Sequence, residues 1–146
     1  MGPPWWARFR RHGLRLTSPR EAILNVISEN PPHLSADEVF FLVRKRCPAI
    51  GLATVYRTLE LLTQMGILKK YDFGEGRSRY ELSSEDESDH HHHLVCTKCG
   101  KIVDYSEFMI QEVEFIKQLE AELSRRHNFS IDSHQIYFYG LCPECQ

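Results

Sequence analysis

Nowhere in these 146 residues is there an apolar run near the roughly 20 residues that a bilayer-spanning helix needs. The opening stretch, MGPPWWARFRRHG, lacks the apolar centre and small-residue cleavage site of a secretory signal. A cytoplasmic protein with no membrane partner is therefore expected. Cysteine is scarce and odd in number: Cys47, Cys96, Cys99, Cys142 and Cys145. An odd count without a secretory signal argues against a disulfide framework. Acid is missing from the first 20 residues, where Arg8, Arg10, Arg11, Arg15 and Arg20 stand. Such a run suits phosphates or a minor groove.

Hydrophobic content of 42% and charged content of 26% are ordinary for a globular chain. The net charge of −2 is made of two unlike halves. Residues 1–79 hold 13 Lys/Arg against 7 Asp/Glu, whereas residues 80–146 hold 5 against 13. A first module facing a polyanion and a second with another partner follow from that split. The polar, acidic run SSEDESD at 83–89 reads as the linker between them. The expected organisation is a DNA-binding domain over 1–82, the 83–89 hinge, and a second domain over 90–146.

Two capping boxes punctuate the first half. In TSPREAI, Ser18 is the expected N-cap, with Pro19 at the first helical position and Glu21 reaching back, for a helix over 19–29. In HLSADEVFFLV, Ser35 and Glu38 repeat the pattern, and Cys47-Pro48 marks the end of that helix. A third helix over 51–66 puts Leu52, Val55, Leu59 and Leu62 on one face, with Gly66 closing it. The β-like runs ILKKYDF and RSRYEL, joined by GEG at 74–76, read as a hairpin. Three helices and a hairpin are the order of a winged helix-turn-helix. Its third helix would present Ala53, Thr54, Tyr56 and Arg57 to the major groove, with Arg15 and Arg20 on the backbone.

CTKCGK at 96–101 and CPEC at 142–145 each put two thiolates on a tight turn. Together Cys96, Cys99, Cys142 and Cys145 make a closed, structural zinc(II) site. The residues between them read as a folded unit: a strand near 101–105, a helix near 107–127 and an alternating strand over SIDSHQIYFYG. Four consecutive histidines, His90 to His93, precede the first pair, too far from either end to be a purification tag. If the run is a strand, His91 and His93 point one way and His90 and His92 the other. Imidazoles joined by carboxylates suit Fe(II) or Mn(II) as well as Zn(II). His33, Glu81, Asp104 and His134 are the candidates elsewhere. A thiol-redox enzyme is a poor alternative, because nothing around the cysteines reads as a thioredoxin βαβ unit. A hydrolytic zinc enzyme would need an open metal position beside a general base.

RLTSPREAIL, HLSADEV, GLATVYRTLELL, HHHHLVCTKCGKIVDY and SHQIYFYGLCPEC stand in this order. In these motifs, along almost its whole length, the chain resembles the ferric uptake regulator family. The resemblance implies an α+β protein: a winged helix-turn-helix domain followed by an α/β dimerisation domain with a four-cysteine zinc site. It implies a metal-dependent transcriptional repressor, not an enzyme, acting on a double-stranded DNA operator as a homodimer, with a tetramer as the alternative assembly. The regulatory metal, Fe(II), Mn(II) or Zn(II), maps onto His33, Glu81, His91, His93 and Asp104. A third site maps onto His90, His92, His134 and a glutamate, either Glu112 or Glu114, because the long helix is about two turns longer than in common members. Arg57 resembles the iron-responsive branch and Asp104 the peroxide-sensing branch, while zinc-uptake regulators share the cysteines. An iron-responsive regulator is the reading adopted, with the peroxide sensor next.

Overall fold

Helix formation begins earlier than the periodicity of the sequence suggests. In a computed structural model that describes residues 5–83 and 92–146, α1 spans Trp6–Arg11. Trp5 and Phe9, one turn apart, sink into the core, leaving Arg8, Arg10 and Arg11 on the outside. Next comes α2 (Ser18–Glu29), whose N-cap is Thr17 and not Ser18. Thr17 is extended, and its hydroxyl accepts from the Arg20 amide at 3.5 Å. Pro19 has no N–H to cap, so Arg20 supplies the amide that needs satisfying, and Glu21 is not the reciprocal partner.

A two-residue strand, β1 (Leu34–Ser35), leads into α3 (Ala36–Val43), where the Ser35–Glu38 capping box forms in full. That helix ends at Val43, earlier than Cys47-Pro48, with the Arg46 and Cys47 amides turning back onto the Val43 carbonyl. The next helix, α4 (Leu52–Gln64), buries Val55, Thr58, Leu59 and Leu62. Leu52 is largely exposed, so the buried face starts one turn later than the sequence pattern implies. Gly66, at φ +72°, closes α4. Its amide donates to Thr63 O and that of Ile67 to Leu62 O, each at 3.0 Å, while the fully buried Ile67 and Leu62 lock the turn. The hairpin follows as β2 (Leu68–Asp72) and β3 (Ser78–Leu82), with β1 on the other edge of β3. Helices α2, α3 and α4 pack on one core with Ile23, Val39, Val55 and Leu59 at its centre.

Two compact units divide the chain, residues 1–85 and 86–146. In the second, β4 (His92–Cys96) pairs antiparallel with β5 (Ile102–Tyr105) and parallel with β6 (Tyr137–Gly140). A parallel neighbour requires a crossover, which α5 (Met109–His127) supplies. The strand expected over 130–140 is confined to β6, and residues 129–136 are not in a strand. No residue of α5 is buried, and Ile110, Phe115, Leu119 and Leu123 lie exposed along it. Among the described residues of this unit, Val95 and Cys96 are the buried apolar ones. The unit thus presents an apolar face far larger than its own core.

Candidate metal centres and nucleic-acid interface

The four paired cysteines converge because β4 and β6 are parallel neighbours. Cys96 pairs in register with Gly140, so the turns leaving both strands lie side by side. On the first turn Gly100, at φ +78°, returns its amide to the Cys96 carbonyl at 2.9 Å. The second turn closes through the Cys145 amide onto Cys142 O, also at 2.9 Å. The four sulfurs lie within 4.8 Å of one another, and Cys99 Sγ is 3.7 Å from Cys142 Sγ. Zinc–sulfur bonds of about 2.3 Å in a tetrahedron put sulfurs about 3.8 Å apart. The cluster therefore fits a structural zinc site.

Electrostatics point the same way. The Cys99 and Cys142 amides donate to Cys96 Sγ at 3.5 and 3.4 Å and, with other local donors, bring its pKa down to about 6. Cys145 is pushed up to about 12, first by the Cys142 thiol and then by burial. Four thiols this close do not all ionise by themselves. A dication reverses that, because thiolates are its ligands.

Each unit also carries an imidazole paired with a carboxylate. In the first, His33 Nδ1 lies 3.4 Å from Glu81 Oε2, both side chains buried. Tyr71 donates its hydroxyl to Glu81 Oε1 at 2.7 Å, and Tyr71 and Phe73 wall the His33 ring edge-on. His33 sits at φ +70°, a strained conformation for a side chain with a Cβ. Arg79 donates to its carbonyl at 2.8 Å, and β1 starts at the next residue, so the surrounding structure holds the strain. In the second unit, His93 Nε2 lies 3.3 Å from Asp104 Oδ1, as the β4–β5 register requires.

His92, on the opposite side of β4 from His93, belongs to another cluster. Its Nδ1–H donates to Glu112 Oε2 at 2.8 Å, and Tyr105 donates to Glu112 Oε1 at 3.0 Å. Burial first, then Glu112, pushes the Tyr105 hydroxyl up to about 12, so it remains a donor. The buried His92 Nε2 has no hydrogen-bond partner among the described residues. The His134 ring is 5.8 Å away, its Nδ1–H held by Glu120 Oε1 at 2.8 Å. Carboxylates that fix one ring nitrogen leave the other with its lone pair available, the arrangement common at metal-bound histidines. Of the two competing glutamates, Glu112 meets His92. Glu114 is two residues further, about 200° around the helix. His90 and His91 lie outside the described residues.

Tyr71, Tyr105 and Glu120 were not among the residues singled out from sequence. Tyr105 had a readable signal, since it faces His92 across the antiparallel strand pair. Glu120 meets His134 only through the fold of α5 against the segment before β6.

On the first unit, Ala53, Tyr56 and Arg57 line the exposed face of α4, and Arg57 Nη2 donates to Thr54 Oγ1 at 3.4 Å. Arg20 Nη1 donates to the Arg15 carbonyl at 2.7 Å, joining these arginines at the start of α2.

A winged helix-turn-helix unit, joined to a unit with a four-cysteine cluster and imidazole–carboxylate pairs, defines a metal-responsive transcription regulator. Residues 11–139 match the Ferric uptake regulator family. The chain is 45% identical over 132 residues to the Ferric uptake regulation protein of Bacillus subtilis (strain 168), covering 90% of this chain and 85% of that one. It is 32% identical over 140 residues to the Peroxide-responsive repressor PerR of Staphylococcus epidermidis, covering 96% and 87%. The crystal structure of the Vibrio cholerae ferric uptake regulator is similar with a TM-score of 0.69 at 34% identity, over 91% of this chain and 95% of that one. The chain belongs to the ferric uptake regulator family.

No helix among the described residues is long and apolar enough to cross a membrane.

Proposed function

We propose that this chain is an iron-responsive repressor that binds an operator in double-stranded DNA as a homodimer when its regulatory site is loaded. The observation that carries the reading is the placement of one imidazole–carboxylate pair on each unit, His33 with Glu81 and His93 with Asp104. We assign both pairs, together with His91, to one regulatory ion. Mixed imidazole and carboxylate donors suit Fe(II) or Mn(II), and an ion bound there supplies positive charge that draws both pairs to a common centre. Because the donors come from both sides of the 83–89 run, the loaded protein holds a restricted angle between its DNA-binding and dimerisation domains. Loading shifts that equilibrium only by its differential affinity for the restricted arrangement.

Zinc at Cys96, Cys99, Cys142 and Cys145 is the structural metal in this account. A closed four-thiolate site has no open position for a substrate, which supports a regulator rather than an enzyme. His92, Glu112 and His134 form the third site, with His90 as the remaining ligand and Glu120 orienting His134. The exposed apolar residues of α5 support a dimer, because a second copy can bury what this unit leaves open. Pairing two such dimers is the route to a tetramer. A repressor of chromosomal genes works in the cytoplasm.

The peroxide-sensing reading keeps one supporting observation: Asp104 completes the second pair where iron-responsive members often carry glutamate. Hydrogen peroxide added to the Fe(II)-loaded protein separates the two. Release from DNA that the Mn(II)-loaded protein resists marks the peroxide sensor.

Base reading is assigned to Tyr56 and Arg57, with Ala53 and Thr54 at the helix start. Arg57→Ala is expected to relax the preference at one base pair, costing on the order of 1–3 kcal/mol there. Arg15→Ala should weaken all duplexes evenly and flatten the salt slope. Selection from a random duplex pool with the Mn(II)-loaded variants checks both. An unchanged consensus for Arg57→Ala would rule α4 out as the reading helix.

A further inference from the structure

Between the exposed face of α4 and the wing hairpin lies an open groove of about 490 Å³. Its lining includes Tyr56, Arg57, Lys70, Arg77 and Tyr80. Tyr80 stands apart from the others. It is 4% exposed, its ring belongs to the core, and it occupies the middle of β3 opposite Lys70. Its hydroxyl has no hydrogen-bond partner among the described residues. The ring is buried, but the hydroxyl is not one of the fully buried partnerless atoms; it opens onto the groove and can donate to what the groove holds.

We propose that this groove seats a phosphodiester of one operator strand, with the Tyr80 hydroxyl donating to it from the floor and Arg57 and Arg77 flanking it at the rim. The assignment rests on the DNA-binding reading above and extends it to a residue outside the exposed face of α4.

The chemistry favours an anionic acceptor. Burial first, then Glu60 and Tyr56, raises the pKa of Tyr80, so at neutral pH the group keeps its proton and donates. Of the acids at the groove, Glu60 is engaged by Lys70 at 3.6 Å, and Asp37 stands at the start of α3. Arg77 Nε donates to Glu75 Oε2 at 3.3 Å, whereas Arg57, which donates to Thr54 Oγ1, has no acid paired with it among the described residues. Geometry selects the backbone over a base. A helix inserted in the major groove meets base edges with its outward face, and the strands that border the groove pass to either side. A recess between that helix and the wing lies where one bordering strand passes.

The test uses the full chain, loaded with Mn(II), and a duplex selected by the wild type from a random pool. Tyr80→Phe keeps the buried ring, and its thermal melting should match the wild type. Its affinity should fall about tenfold on selected and unrelated duplexes alike, the scale of one hydrogen bond to a charged group. Single methylphosphonate substitutions along the duplex then locate the contact. One position should weaken the wild type and leave Tyr80→Phe unaffected. Arg77→Ala, on the exposed wing, should lower the salt slope by about one. Wild-type binding matched by Tyr80→Phe would overturn this assignment alone, whereas a wild type that selects no duplex would end the DNA reading itself. A nucleoside monophosphate bound by the wild type but not by Tyr80→Phe, with duplex affinity equal in both, would assign the groove to a small anion instead.

Discussion

Cys96→Ser protein is expected to carry no zinc at the four-cysteine cluster and to lose its dimer. Cys96 ends β4 and is the buried member of the four, and the amides of Cys99 and Cys142 both converge on its sulfur. Serine offers a poor zinc ligand and loses that thiolate. In small metal-dependent folds, structural zinc contributes about 10–16 kcal/mol of binding free energy that is also folding free energy. The carboxy-terminal unit has little to set against such a loss, since its described buried apolar residues are Val95 and Cys96. Metal analysis and sedimentation velocity read the outcome. Cys47→Ser serves as the matched control, because Cys47 packs against the core of the amino-terminal unit. A Cys96→Ser chain with one zinc per protomer and an intact dimer would remove the cluster from the folding account.

The second large effect separates neighbours on one strand. His93→Ala should abolish stimulation of DNA binding by Mn(II) while zinc at the cysteines stays in place. Coupling between metal and DNA is expected at about 1–3 kcal/mol, roughly 5–150-fold in affinity. His92→Ala should retain most of that stimulation. His92 faces Glu112 and Tyr105, and its loss leaves a carboxylate short of a partner, at a cost of about 1–3 kcal/mol in stability. The comparison is informative because both residues are buried on β4 and differ in the side they face. Fluorescence anisotropy of a labelled duplex, titrated with Mn(II), distinguishes them. Equal loss from both substitutions would show that strand alternation does not divide the histidine run.

Local codes were legible in the sequence, and of the long-range meetings only the paired cysteines were. The Ser35–Glu38 box, the Gly66 stop and the hairpin depend on neighbours within a few residues, and all three form as read. The four-cysteine cluster was readable across 42 residues because two Cys-x-x-Cys pairs in an odd total of five cysteines fit a zinc site better than a disulfide framework. The N-cap of α2 was misread by one residue, since threonine and serine both qualify and only the backbone conformation decides. Helix α1 escaped notice because two buried aromatics one turn apart are too short a pattern to show periodicity. Glu112 could not be separated from Glu114 by counting, because the answer depends on where α5 starts and how it turns its face to β4. Tyr71 is invisible as a site residue in sequence: it reads as a strand aromatic, and only the β2–β3 pairing brings its hydroxyl to Glu81.

One titration tests the central claim directly. The zinc-replete chain, stripped of other metal by a chelator too weak to empty the cysteine cluster, is mixed anaerobically with a selected duplex and titrated with Fe(II). Affinity is predicted to rise at least about fivefold as the site fills and to fall back when His33, Glu81 or Asp104 is replaced by alanine. Affinity that is identical with and without Fe(II) or Mn(II), at full zinc content, would contradict metal-responsive DNA binding by this chain.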